Sequence, residues 1–160
     1  MPSDALTYHF VAKELDELLS GGKIEKVNMP ENDQIFLTIR SQRQKYTLVL
    51  CSGNNPRVHI TNMQKENPAY PPAFCMNLRK NIGGGIIQSI STHPFERVIF
   101  IDILHKNELG IRKDKRLICE IMGKYSNVIV CDSSGKILEC LKHIPIDVSK
   151  NRQLLPGLMY

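Results

Sequence analysis

Arg97-Val98-Ile99-Phe100-Ile101-Asp102-Ile103-Leu104 is the stretch on which the fold turns. It is almost continuously apolar, which suits a strand covered on both faces. A tight His93-Pro94-Phe95 corner leads into it and a charged loop, residues 106–115, leads out. The chain keeps the habit of short strands on both sides of this run. Residues 86–91 precede the corner, and residues 117–122 pair with 127–131 across Gly123-Lys124. Ser133-Ser134-Gly135 then turns the chain into a strand over 137–141. From His143 onward the tail is Pro-rich and irregular.

The first half adds two helices to this pattern. After Asp4, Leu6, Phe10, Val11, Leu15, Leu18 and Leu19 fall at helical spacing, with Glu14, Asp16 and Glu17 on the polar side. Gly21-Gly22 stops that helix. Residues 23–29 read as a strand, Pro30-Glu31-Asn32-Asp33 as a turn, and Ile35, Leu37 and Ile39 as one face of the next strand. A charged link over 40–45 leads to a strand at 46–51, and 52–56 is another turn. In Arg57-Val58-His59-Ile60-Thr61, Val58 and Ile60 point one way while Arg57, His59 and Thr61 point the other. Beyond a polar segment, Pro72 opens a second helix carrying Phe74, Cys75, Leu78 and Ile82, which Gly83-Gly84-Gly85 ends. The expected fold is α+β: a mainly antiparallel β-sandwich flanked by helices.

The 160 residues suit one domain, and 42% apolar with 23% charged residues is ordinary globular composition. No run of eighteen apolar residues exists to span a membrane as a helix, and the N-terminus has no basic-then-apolar leader pattern. The net charge of +5 favours polyanionic partners. Cys51, Cys75, Cys119, Cys131 and Cys140 are scattered, odd in number and without CxxC spacing, so buried free thiols of a cytoplasmic protein are expected. The glycine triplet follows a helix, whereas a phosphate cradle must precede one. No histidine pair or acidic partner has metal-ligand spacing, and no GxSxG, HExxH or CxxC occurs. No metal, no cofactor and no catalytic residue are therefore expected, and the chain is read as a non-enzyme.

Four segments in order carry a family resemblance. They are Asn55-Pro56-Arg57-Val58-His59-Ile60-Thr61, the run from Asn67-Pro68 through Pro71-Pro72-Ala73-Phe74-Cys75-Met76-Asn77-Leu78-Arg79-Lys80-Asn81-Ile82, Glu120-Ile121-Met122-Gly123-Lys124-Tyr125-Ser126-Asn127-Val128-Ile129, and the closing Leu155-Pro156-Gly157-Leu158-Met159-Tyr160. Together they resemble the N-terminal domain of the NFACT family, ribosome-associated quality-control factors also known in bacteria as fibronectin-binding protein A. Family members are several times longer, so the resemblance implies that residues 1–160 are a single N-terminal domain excised from a multidomain protein. It also implies a fold similar to the N-terminal domain of formamidopyrimidine-DNA glycosylases.

The role implied is to bind the large ribosomal subunit that carries a stalled peptidyl-tRNA. Such factors recruit charged tRNA, mainly alanyl-tRNA, for C-terminal tailing without mRNA. The residues the family ties to this are an early Asp and an Asp-Arg pair; Asp4 matches the first, although Ala5 stands where the family has Gly. Glu96-Arg97 matches the second, with Glu in place of Asp. Arg57, His59, Arg79, Lys80 and Arg97 are expected to gather on one flank and grip the tRNA backbone. Each also has a plain reading: the solvated face of a strand for Arg57 and His59, the helix macrodipole for Arg79 and Lys80, and a local ion pair for Glu96 with Arg97. The rival reading from the same family names is an adhesin for fibronectin or fibrinogen. A third, base excision by a Pro2 amine after loss of Met1, lacks the Glu that should follow the proline.

Overall fold

The computed structural model of the protein describes residues 5–145 and 153–160; Asp4 and the Met1-Pro2 start lie outside them. Helix α1 (Ala5–Leu19) leads into β1 (Lys23–Glu31), β2 (Gln34–Ser41), β3 (Gln44–Cys51) and β4 (Arg57–Thr61). Helix α2 (Ala73–Ile82) follows, then β5 (Ile86–Thr92), β6 (Val98–Leu104), β7 (Lys115–Glu120), β8 (Asn127–Asp132) and β9 (Ile137–Cys140). Neither helix is long and apolar enough to cross a membrane.

All nine strands join one antiparallel sheet in the order β4-β3-β2-β1-β5-β6-β7-β8-β9. The two sheets expected of a sandwich are thus continuous through hydrogen bonds. Their junction is narrow, since Lys23 opposite Ile86 is the single register pair of β1 with β5. The glycine triplet makes this junction. Gly84 donates to Ile24 O and Ile24 to Gly85 O, each at 2.8 Å. Gly84 has φ +78, and a Cβ on Gly85 would stand 2.5 Å from Ile103 Cγ2. The outer edges of the halves are drawn together where Lys142 Nζ donates to Ser52 O at 2.9 Å.

One main core takes side chains from both halves and both helices. β6 is covered on its two faces, as its composition demands. Ile99, Ile101 and Ile103 are 0% exposed in the main core, each burial stabilising by about 1.5–3 kcal/mol. Val98 and Phe100 join a second cluster with Ile118, Ile129, Ile137 and Leu154 on the other face. The tail expected to be irregular supplies that cover: Ile144 and Leu154 exchange backbone hydrogen bonds of 2.9 and 2.8 Å.

Two local readings change. On α1 the buried stripe is Tyr8, Ala12, Leu15 and Leu19, while Leu6 and Phe10 are 63% and 58% exposed. Phe10 stands five residues before Leu15, about 140° around the helix, so the two cannot share a core face. The charged link over 40–45 is a tight hairpin instead. β2 runs to Ser41 and β3 starts at Gln44, with Gln42 and Arg43 at φ 51 and 68. Positive φ at both central residues defines the turn whose twist matches paired strands. Neither residue favours it, but Ser41 Oγ and Gln42 Nε2 donate to Leu18 O and Glu17 O and hold the turn against α1. α2 buries Phe74, Cys75, Leu78 and Ile82, as its spacing requires.

Candidate nucleic-acid interface

The C-terminal end of α2 faces the β6–β7 connection across a cavity of about 740 Å³. Arg79, Lys80, His105, Lys106, Lys113 and Lys115 line it. An adjoining cavity of about 600 Å³ shares Lys113 and Lys115 and adds Arg112, Asp114 and Asp132. These cations are not equivalent. Arg112 is neutralised by Asp114, through contacts of 2.8–3.0 Å, and that hydrogen-bonded pair holds the Asp114 carboxyl below its usual range. Arg79 is tied back: its Nε donates to Val27 O at 2.8 Å and its Nη2 to Asn28 Oδ1 at 3.0 Å. Lys115 donates to Lys113 O at 2.7 Å. Burial, then the Lys113 charge, lower its pKa, against the pull of Asp114 and Asp132. Among the described residues, Lys80, Lys106 and Lys113 have no carboxylate partner.

His105 forms the wall between these groups. It is 8% exposed, and its Nε2 lies 3.1 Å from Gly83 O. That contact makes Nε2 the protonated nitrogen. Burial drives the pKa down, Gly83 O partly opposes it, and nearby Lys115 adds to the fall.

Glu96 and Arg97 occupy the β5–β6 corner. Glu96 Oε2 faces His93 Nδ1 at 3.6 Å, so the local ion pair with Arg97 does not form. Arg97 is pinned by its backbone, whose carbonyl accepts from Ile121 N at 2.9 Å, and its side chain is exposed. Phe95, at φ 66, is 96% exposed beside them. Helix α1 runs antiparallel to β5, with Ile90 N donating to Asp16 Oδ1 at 2.7 Å and Gly21 N to Ile87 O at 2.7 Å. Its first turn therefore heads toward this corner. Asp4 precedes that turn in sequence and lies outside the described residues.

Arg57 and His59 are on β4, the edge strand, facing away from the core that Val58 enters. Arg57 Nε donates to His59 Nε2 at 2.9 Å and Nη1 to Asn55 O at 2.7 Å. His59 Nδ1 lies 3.0 Å from Ile60 O, which makes Nδ1 the donor and Nε2 the acceptor of the Arg57 bond. The single flank expected for these cations is not what the fold builds. Arg79 and Lys80 face the end of β6, Arg97 precedes its start, and seven strand residues put roughly 20 Å between them. Arg57 and His59 lie on β4 at the sheet edge, outside the cavity that Arg79 and Lys80 line. The cause is chain reversal in an antiparallel sheet, which sends the two ends of one strand to opposite ends of the molecule.

Lys106, Lys113 and Lys115 were not singled out by sequence; the charge of the 106–115 loop was the available signal. One histidine also acquires an acidic neighbour: His143 Nε2 lies 2.5 Å from Glu139 Oε1, with Cys140 nearby. The Cys140 thiol is pushed up to about 11, chiefly by burial, and donates to Leu154 O. All five cysteines are free and buried, as expected.

These features describe an α+β domain with separate cationic sites at the two ends of its sheet. Residues 4–160 match the family model for NFACT N-terminal and middle domains, and the chain belongs to the NFACT family. It is 40% identical over 164 residues to the Rqc2 homolog RqcH of Streptococcus pneumoniae (serotype 2, strain D39), spanning all of this chain and 29% of that protein. Among solved structures it superposes with a TM-score of 0.94, at 40% identity, on the N-terminal domain of the fibronectin-binding protein PavA from S. pneumoniae, covering 98% of this chain and 60% of that one. The N-terminal part of the fibronectin/fibrinogen-binding protein from Streptococcus suis also gives 0.94, at 39% identity, with 99% and 60% covered.

Proposed function

We propose that this domain is the RNA-contacting N-terminal part of a cytoplasmic ribosome quality-control factor. The factor binds large ribosomal subunits that carry a stalled peptidyl-tRNA. It recruits charged tRNA, mainly alanyl-tRNA, for C-terminal tailing without mRNA. The likeness to the Rqc2 homolog RqcH across the whole chain carries the reading; the net charge of +5 and the exposed Arg97 support it. The ribosome's own centre makes the peptide bond, so the domain positions RNA and is not itself an enzyme. It needs no cofactor for that task.

Alanine at Asp4 or Glu96 in the full-length factor is expected to leave the fold intact and abolish tail addition. Tails of normal length in both variants would sink these assignments. Charge reversal at Arg97 is expected to weaken tRNA binding and flatten its salt dependence.

The names of the two structural neighbours favour a second reading, binding of fibronectin or fibrinogen. Fractionation of cells into ribosomal pellet, cytosol and surface extract separates the two. Recovery with stalled large subunits supports the first, and recovery from the surface extract together with capture on immobilised fibronectin supports the second.

A further inference from the structure

We infer that the cavity between α2 and the β6–β7 connection is a second RNA site, which takes backbone phosphates through Lys80, Lys106 and Lys113. The inference rests on the RNA-binding reading above and assigns it a place some 20 Å from Glu96 and Arg97, the length of β6. The three lysines line one concavity of about 740 Å³, in which Glu108 is the only acidic residue of the lining. The fold engages other cations nearby in contacts of their own, two with carboxylates and one with neutral acceptors. Arg112 has Asp114, Arg116 has Asp102 at 2.7 Å, and Arg79 is spent on Val27 O and Asn28. What remains, among the described residues, is a cluster of three lysines that make no salt bridge, gathered where the helix ends.

Such clustering is unfavourable in the free protein. Lys115 registers it in part: burial is the larger cause that lowers its pKa, and the Lys113 charge adds to it. The α2 C-terminus and its Gly83 carbonyl offset part of the repulsion, which explains one or two cations there but not three unpaired lysines from two separate elements. His105 stays neutral against Gly83, so it closes the cavity floor without adding charge. A phosphodiester backbone matches this arrangement better than a single carboxylate does. It offers successive anions to donors spread along one groove, and lysines act on each as point charges without sequence selection.

The test uses the 160-residue chain and fluorescently labelled tRNA, with dissociation constants measured across a salt series from about 50 to 200 mM. Purified large ribosomal subunits form a second arm, so that tRNA and ribosomal RNA are told apart. In Lys106→Gln/Lys113→Gln the slope of log affinity against log salt is expected to fall by about two, one per lysine, in whichever arm supplies the phosphates. Lys80→Gln alone should lower it by about one. A control pair on other surfaces, Lys13→Gln/Lys26→Gln, removes the same charge and should leave the slope unchanged. All five lysines are exposed, and melting curves verify folding. Wild-type RNA binding with an unchanged slope in the cavity variants overturns the site while the RNA-binding reading stands. Absence of wild-type binding in both arms overturns the site and the reading together. Equal losses in the control pair assign the effect to net charge and also overturn the site.

Discussion

His105 shows how a single residue joins fold and chemistry in this domain. Its ring is buried at the cavity wall and held neutral by desolvation, with Nε2–H given to Gly83 O. Because the folded pKa lies below the ordinary 6.5, the unfolded chain binds the proton more readily between those two values. Stability supplied by the neutral ring is therefore complete above about 6.5 and lost as pH falls through the lowered folded value. Thermal melts from pH 7.5 to pH 5 should show a declining Tm in the wild type and a shallower decline in His105→Asn. Identical pH profiles would remove this residue from the linkage. Nothing in the local sequence His105-Lys106-Asn107 announces burial. The ring is covered because the end of α2 returns to it, a contact between residues 22 positions apart.

At the scale of elements, α2 was legible and α1 was legible only in outline. Phe74, Cys75, Leu78 and Ile82 leave one face for the core, and all four occupy it. In α1 the apolar residues are too many for one stripe, so periodicity alone admits two choices. Packing against β5 selects Tyr8 and Ala12 with Leu15 and Leu19, and turns Leu6 and Phe10 outward. The consequence is measurable by urea denaturation. Tyr8→Ala should cost about 3 kcal/mol, in the range of large-to-small core changes. Phe10→Ser should stay within about 0.5 kcal/mol of the wild type, as exposed substitutions do. A loss in Phe10→Ser as large as that in Tyr8→Ala would reverse the assignment of faces. The β2–β3 hairpin escaped notice for a related reason. Gln42 and Arg43 carry no turn signature, and α1 supplies the acceptors that hold them.

Across the whole molecule, the nine-stranded sheet closes around one core through its narrow β1–β5 junction and the Lys142–Ser52 contact. The five thiols are buried in separate places: Cys75 and Cys119 in the main core, Cys131 and Cys140 in the second cluster on the other face, and Cys51 with Phe36 and Val49. Burial pushes Cys119 up to about 12 and Cys131 and Cys140 to about 11, so the reactive thiolate is scarce at neutral pH. A thiol-specific chromogenic reagent should therefore label none of them in the native protein within the time that it labels all five in denaturant. Labelling in low denaturant should follow the global opening of the sheet rather than local fraying. Fast native reaction at any one cysteine would show that part of the core to be open.

Sequence by itself determined the strand-rich α+β character, the two-faced burial of β6, the second helix and the burial of the cysteines. Those features follow from apolar period and composition, which act over a few neighbouring residues. Tertiary structure alone decided that the strands form one sheet, that Arg79 clamps β1, and that Arg97 and Lys80 lie at opposite ends of the molecule. Chain reversals decide which distant side chains meet, and the energy that chooses among them resides in long-range packing. Charged groups follow wherever that packing leaves the backbone, so their grouping was the last thing a linear pattern could reveal.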